Sequence, residues 1–463
     1  MRRVPKEQNM NDLRQNKMGT ESMTKLVIGM SLPPIISMFI QAMYNVVDSI
    51  FVSKIGMEAL TAVSLAFPMQ QILVALFVGT GAGTSSIIAR RLGAGDMETA
   101  NKAASHSIVI SIVYSFIMIF LGIFFTDFFV SLFTEDLYLQ TLTSQYLRII
   151  LIFSFSNFIY HAGMSILQST GNTLTPMLAQ LIGAITNIIL DPIMIFGYLG
   201  FPAMGVRGAA YATVIGQLVS FIIIFYVFKK DKSIEVKIKG FKFDKVILKD
   251  IFSVSLPAIV MQSLASVMIS GLNIILISFS KAAVSVLGIF YKLQSFVFMP
   301  VFGMMQAHRA IIGYNYGAKN KERVLSSLKT SLILSLLIMV LGTFIFQFFT
   351  EPMLNLFDSN EEMMKIGITA LRTISWTFAP AAVGIAISAS FQAFGKGVLS
   401  LTISFARQLI VLLPVAYFLS KIGGLDLFWY AFVISEFAAF LIAVPTITYY
   451  LKSTFKQWND QSL

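Results

Sequence analysis

The chain has no cysteine, which excludes disulfides and thiolate metal sites and leaves the compartment open. Charge is scarce too. Asp, Glu, Lys and Arg make up 12% of 463 residues, about half the share of a soluble protein. No phosphate-cradling Gly-rich loop ending in Lys and Ser or Thr occurs, so ATP is not the energy source. No His-Glu metal motif or Ser/Lys nucleophile arrangement stands out, which argues against an intramembrane enzyme. A Gly-Tyr-Gly filter and a regular Arg ladder are both missing, which disfavours a cation channel or voltage sensor. Period-2 alternation is absent, so a β-barrel is not expected.

What is present is apolar. Hydrophobic residues make up 56% of the chain and the mean hydropathy is +0.78. Runs of about 20 apolar residues, each long enough to cross a bilayer, recur along the whole length. We read twelve spans, near 25–50, 58–86, 104–125, 142–167, 174–198 and 206–228, then 250–279, 283–311, 326–349, 365–392, 396–419 and 426–451. The polar first residues precede a full-length apolar helix with no small-residue cleavage site, which reads as a retained first span.

The chain is also duplicated. Ser31-Leu32-Pro33 returns as Ser255-Leu256-Pro257, Gly93-Ala94 as Gly317-Ala318, Leu147-Arg148 as Leu371-Arg372, and Gln168 and Gly171 as Gln392 and Gly395. The shift is 224 throughout (255 − 31). Tyr211-Ala212 returns as Tyr430-Ala431 at a shift of 219, so the first half carries five extra residues (224 − 219) in the preceding loop. The expected fold class is an all-α polytopic membrane protein with twelve transmembrane helices in two repeat-related six-helix lobes. The expected divisions are an amino-terminal segment 1–24, a first lobe 25–228, a basic linker 229–249, a second lobe 250–451 and a tail 452–463. Six spans per half, an even number, make the repeat parallel, with a pseudo-twofold axis along the membrane normal and a cavity expected between the lobes. This is a common build of a secondary transporter.

The net charge of +11 could point to nucleic acid, but its distribution argues against that partner. Arg2, Arg3, Lys6, Arg14 and Lys17, then Arg90 and Arg91, the linker from Lys229 to Lys249, Lys319, Lys321 and Arg323, and Lys452 and Lys456 all fall on one side. Asp127, Glu135, Asp136, Glu351, Asp358, Glu361 and Glu362 fall on the other. By the positive-inside rule both termini are cytoplasmic, in a cell (inner or plasma) membrane. Prolines 33, 34, 68, 257, 300, 380 and 414 interrupt spans and read either as hinges or as ordinary helix curvature.

Each charge inside a bilayer costs ~3 kcal/mol or more and needs a reason. Asp48 lies in the outer part of span 1, within Tyr44-Asn45-Val46-Val47-Asp48. Asp191 lies in the outer half of span 5, four residues after Asn187, so the two share a helix face. The repeat places Leu272 and Val415 at their counterparts (48 + 224 and 191 + 224). Partly desolvated carboxylates with amide neighbours favour a proton or supply oxygens to a monovalent cation. The alternative is two solvated or capping acids near the outer interface. Lys292, Arg407 and Glu436 sit near mid-membrane in the second half. They read as a substrate-cavity network, with Gln41, Tyr44 and Gln294, or as a buried ion pair holding the lobe. Arg407 reads as structural, as do the repeat-equivalent Arg148 and Arg372. A lone His161 reads as a packing residue.

Several segments carry a resemblance. Gln168-Ser169-Thr170-Gly171-Asn172-Thr173 with Pro176, Asn187 through Asp191-Pro192 to Gly197, Met204-Gly205-Val206-Arg207-Gly208-Ala209-Ala210, Asn45-Val46-Val47-Asp48 and Ile312-Gly313-Tyr314-Asn315-Tyr316-Gly317-Ala318 are similar to hallmark segments of the multidrug and toxic-compound extrusion (MATE) family. The resemblance covers nearly all of residues 25–450. It implies two lobes in a V shape and antiport of amphipathic, often cationic, organic compounds against sodium or protons. It also implies coupling-ion binding at Asp48, Asn187 and Asp191, with Asn45 near them and Thr213 as a further polar ligand. Spans 7 and 10 hold Asn273 and no internal carboxylate, which does not fit a second-lobe sodium site. His308-Arg309 departs from the family's usual pattern.

The function expected is therefore secondary antiport. The partners are lipophilic small molecules and membrane lipid, the protein is a monomer, and no cofactor or metal is needed beyond a coupling H+ or Na+. A lipid-linked oligosaccharide flippase and a non-transporting receptor or scaffold are the rivals.

Overall fold

The computed structural model describes residues 16–230, 233–357 and 359–460, with the Lys229 side chain excluded. Arg2, Arg3, Lys6, Arg14, Asp231, Lys232 and Asp358, used above to orient the chain, lie outside the described residues. Every regular element among the described residues is helical. The first half builds α1 (Met23–Ser53), α2 (Met57–Gly93), α3 (Met97–Phe124), α4 (Leu137–Ile152 with Phe155–Ser169), α5 (Leu174–Phe196) and α6 (Val206–Lys230). The second builds α7 (Lys245–Ile277), α8 (Lys281–Gly317), α9 (Lys321–Phe348), α10 (Glu361–Ser375 with Phe378–Ala393), α11 (Gly397–Phe428) and α12 (Tyr430–Asp460). Among the described residues, ten helices are long and apolar enough to cross a membrane, and the two bent pairs bring the number to twelve. Large apolar side chains such as Phe116, Phe120, Leu337 and Leu341 face outward. That is the inside-out pattern of a surface bathed in hydrocarbon rather than water.

Proline accounts for only some of the sharp bends. Pro33, Pro34, Pro68, Pro257 and Pro300 lie within continuous helices. α4 and α10 break by 48° and 49° between their two segments, α10 where Pro380 follows Trp376 by four residues and α4 with no proline near its break. The connecting residues are Phe153-Ser154 and Trp376-Thr377, nearly equivalent in the repeat. Pro414 follows a π-helical segment, Ala406–Leu412, within α11. A proline ring clashes with the carbonyl four residues back and offers no N–H, and a widened turn relieves both. α12 continues to Asp460, well past the expected end near 451, because Phe455 and Trp458 pack with Tyr316 and Tyr450.

The two halves meet through α1, α2, α7 and α8, and the repeat is visible in the contacts. A Cβ on Gly79 would lie 2.9 Å from the Ile259 nitrogen, and one on Gly303 would lie 2.8 Å from the Ile35 nitrogen. Each residue is its counterpart shifted by 224. At the far ends of α2 and α8, a Cβ on Gly93 would come 1.8 Å from the Tyr314 oxygen, and one on Gly317 1.9 Å from the Arg90 oxygen. The helices therefore cross about a pseudo-twofold axis at a point that only glycine permits. Arg90 donates to Asp250 (2.7 Å) and the Ser86 hydroxyl to the Gln392 carbonyl (2.6 Å), tying the halves at this end.

A short helix, Lys17–Thr20, sits on the same end. Its fully buried Met18 is held through its carbonyl by Asn315 and Arg323 (both 3.0 Å), while Asn16 donates to the Thr170 carbonyl (3.5 Å). The residues after α6 lie along α3. There Asn101, Ser105 and His106 accept the backbone N–H groups of Glu235, Lys237 and Asp244.

Candidate functional site

A cavity of about 580 Å³ lies within the first half. α1 contributes Gln41, Tyr44, Asn45, Asp48 and Ser49, and α2 contributes Gln70, Gln71 and Phe77. α4 adds Tyr146, Asn157 and His161, α5 adds Gln180 and Asn187, and α6 adds Thr213 and Gln217. Two packing features set these positions. α1 runs beside α5, which brings Asp48 to the same neighbourhood as Asn187 and Asp191. α5 and α6 cross without a Cβ on either side. A side chain on Gly183 would meet the Gly216 oxygen at 2.6 Å, and one on Gly216 the Gly183 oxygen at 2.6 Å and the Asn187 Cβ at 3.1 Å. This close approach puts Thr213 and Asn187 on one wall.

Asp191 is fully buried, and Asp48 and Asn187 nearly so. The Asn187 amide donates to Asp191 Oδ1 at 3.2 Å, the i, i+4 contact expected on one helix face. The remaining oxygens stay unpaired. Asp48 Oδ1, Asn187 Oδ1 and Asp191 Oδ2 are buried with no hydrogen-bond donor among the described residues. An acceptor left so costs ~1–3 kcal/mol, and three together form an electron-rich cluster that a proton or a cation would satisfy. The donor set of two carboxylates and a carboxamide suits a hard monovalent ion, and no cluster of three His, Cys, Asp or Glu suits a transition metal among the described residues.

The structure brings Asp48, Asn187, Thr213, Asn45, Gln41 and Tyr44 onto one cavity, with Asp191 bonded directly behind Asn187. Lys292, Gln294 and Glu436 are not on it. Glu436 pairs with Arg407 across α11 and α12, so its charge is spent within the second half. The π-helical turn carries Arg407. Lys292 sits with Nζ 5.9 Å from the centre of the Phe357 ring. The cavity thus belongs to the first half rather than to the space between halves. Arg148 pairs with Asp127 at 2.6 Å. The repeat-equivalent Arg372 forms no ion pair with Glu351 among the described residues, and instead its carbonyl accepts from Gln347 (2.7 Å).

His161 lines the cavity with its ring stacked on Phe77, centroids 3.8 Å apart and 7° from parallel. The neighbouring Phe77 and the carboxamides Gln70, Gln71, Asn157, Gln180 and Gln217 were not singled out from sequence. Their one available signal is polarity on helices facing Asp48. His308 has a structural account. Its Nδ1 lies 2.9 Å from Ser331 Oγ and its Nε2 2.8 Å from Ser390 Oγ, binding α8 to α9 and α10. Ser390 donates to the Ala386 carbonyl, so the proton sits on His308 Nε2 and Ser331 donates to Nδ1. Thr84 and Ser107, at the same places in the first half, bond at 2.8 Å.

The family description MatE matches residues 33–193 and again 257–418, two stretches displaced by the repeat length of 224 (257 − 33). Among curated relatives, the probable multidrug resistance protein NorM of Thermotoga maritima is 28% identical over 406 residues, covering 87% of each chain. The FAD transporter of Shewanella oneidensis is 25% identical over 403 residues, covering 86% of this chain and 89% of its own. A solved multidrug resistance MATE family transporter of the MOP superfamily, in an outward-facing conformation, superposes with a TM-score of 0.87 at 29% identity over 98% of this chain and all of that one. With both halves matching the family and the fold superposing end to end, this multi-pass membrane protein belongs to the MATE family and is a transporter rather than an enzyme.

Proposed function

We propose that the chain is an antiporter that exports amphipathic organic compounds in exchange for protons or sodium ions. The observation that carries this is the trio of buried, donorless oxygens at Asp48, Asn187 and Asp191, the first two on the wall of a cavity large enough for an organic molecule and Asp191 directly behind them. A site so short of positive charge gains from an incoming cation. By linkage, a cation that binds one conformation better than the other drives the change between them. The units that move are residues 25–228 and 250–451, rocking about the glycine crossing of α2 and α8. The basic loops at that end argue that it faces the cytoplasm together with both termini, in the inner or plasma membrane. The cavity then opens outward when the crossing is closed. Thr213 and Asn45 supply further oxygens to the ion.

The test is efflux of a fluorescent lipophilic cation from sealed liposomes, with a proton or a sodium gradient imposed separately. Efflux driven by one gradient and lost in the Asp48→Asn, Asp191→Asn double variant supports the site and names the ion. Unchanged efflux in that variant would sink the site assignment.

A further inference from the structure

The segment between α6 and α7 doubles back on itself along α3. Its outgoing arm moves away from the amino-terminal end of α3, the Glu235 N–H bonding to Asn101 and the Lys237 N–H to Ser105. A turn closed by the Phe241 N–H on the Ile238 carbonyl (3.2 Å), with Gly240 at a φ of 76°, reverses the chain. The returning arm bonds the Asp244 N–H to His106 Nε2 (2.9 Å). The tip, residues 238–243, therefore reaches the level of Ser105 and His106. A hydrocarbon core ~30 Å thick takes up ~20 residues of helix. Counted back from Phe124, where α3 ends, those residues begin near Ser105, so the tip sits at the membrane boundary.

The side chains suit that place. Ile234 is buried and Val236 half-buried against the bundle, whereas Ile238, next in this period of two, is 54% exposed. Phe243 is 60% and Val246 73% exposed. Interleaved with them are Lys239, Lys242, Lys245 and Lys249, all exposed and none in an ion pair among the described residues. The adjoining acids are engaged elsewhere. Glu235 pairs with Lys237 (2.8 Å), Asp250 with Arg90 (2.7 Å), and Asp244 Oδ1 caps α7 by accepting the Val246 N–H (2.9 Å). We propose that residues 238–249 form a docking surface for anionic phospholipid. The apolar side chains enter below the phosphates, and the four lysines reach along their stems to meet them. The proposal goes beyond the antiporter reading and needs only that this end of the bundle meets a membrane surface.

The chain lacks cysteine, so Ile238→Cys carries a single bimane label, apolar in place of apolar. Val113→Cys, on the exposed face of α3, carries the same label as the reference. Each full-length chain is placed in nanodiscs of phosphatidylcholine and phosphatidylglycerol in equal parts, with one lipid or the other brominated on its acyl chains. Brominated phosphatidylglycerol should quench the Ile238→Cys label ~5-fold more than brominated phosphatidylcholine, the ratio that ~1 kcal/mol for a lysine at an anionic surface corresponds to. The two lipids should quench the Val113→Cys label equally. Lys239→Gln, Lys242→Gln, Lys245→Gln and Lys249→Gln together should bring the ratio at Ile238→Cys to one. Molar salt, which shortens the screening length to ~3 Å, should lower that ratio with all four lysines in place, so the outcome does not hang on the quadruple variant folding. Equal quenching of the Ile238→Cys label by the two lipids overturns the proposal. So does the same preference at Val113→Cys, which would mean enrichment of the anionic lipid around the whole bundle. No quenching by either lipid also overturns it and leaves the segment facing water, open to a soluble partner. The antiporter reading stands or falls separately, on gradient-driven efflux.

Discussion

The α2–α8 crossing is the place to perturb the transporter with least ambiguity. Gly93→Ala or Gly317→Ala would set a methyl 1.8 or 1.9 Å from a carbonyl oxygen of the opposite helix. That is about 1.6 Å short of the ~3.5 Å van der Waals distance. Backbone on both sides leaves no flexible side chain to give way, so the helices must part. Separation strains the neighbouring ties, Arg90–Asp250 and Ser86–Gln392. Overpacking of this kind costs ~1–3 kcal/mol, which moves the population between two conformations by about 5- to 150-fold. The chain lacks cysteine, so Glu98→Cys and Glu322→Cys, exposed and repeat-equivalent, provide clean spin-label sites on the two sides of the crossing. The label distance distribution should lengthen in either alanine variant. The repeat makes a further demand, that the two variants behave alike. An unchanged distribution, or a large effect from one variant and none from the other, would refute the reasoning.

Four other outcomes follow from the geometry. Asp191→Asn replaces a donorless oxygen with a donor, so thermal stability in detergent should rise by ~1 kcal/mol while gradient-driven export falls at least tenfold. Arg407→Met strands the Glu436 carboxylate inside the second half and should cost ~3 kcal/mol in chemical denaturation. Adding Glu436→Gln should restore most of it, and a purely additive double variant would contradict the pair. His308→Ala removes the partner of two buried hydroxyls and should destabilise by ~2 kcal/mol, whereas His308→Gln should lose less, as measured by thermal melting. Arg323→Ala withdraws two hydrogen bonds from the Met18 and Glu21 carbonyls, so a thiol placed by Met18→Cys should label faster in that background.

The span count, the duplication and the intramembrane acids were legible from the chain alone. Hydropathy and helical spacing are local: Asn187 and Asp191 share a face because they are four residues apart, and their hydrogen bond needs no third element. The constant shift of 224 carried the pseudo-twofold, and the glycine contacts obey it residue by residue. Proline was an uneven guide: Pro380 and Pro414 mark a bend and a widened turn, whereas at Pro33, Pro68, Pro257 and Pro300 a continuous helix accommodates the missing N–H by slight curvature. Of the two large bends, the one at Trp376-Thr377 is followed by Pro380, four residues after Trp376, and the one at Phe153-Ser154 has no proline near it.

Tertiary structure decided the rest. Charge inside a membrane marks a residue as consequential, but not which partner will meet it. Glu436 reads from sequence either as cavity lining with Lys292 or as half of a buried ion pair, and the packing of α11 on α12 decides for the pair with Arg407. Likewise, Asp48 and Asp191 are far apart in sequence, and the run of α1 beside α5 makes them neighbours. The cavity wall is assembled from carboxamides on five helices, none of them distinctive in its own segment. A polar side chain on one apolar helix has no preferred partner until other helices pack around it. Membrane span and repeat are thus properties of the sequence, whereas the site is a property of the bundle.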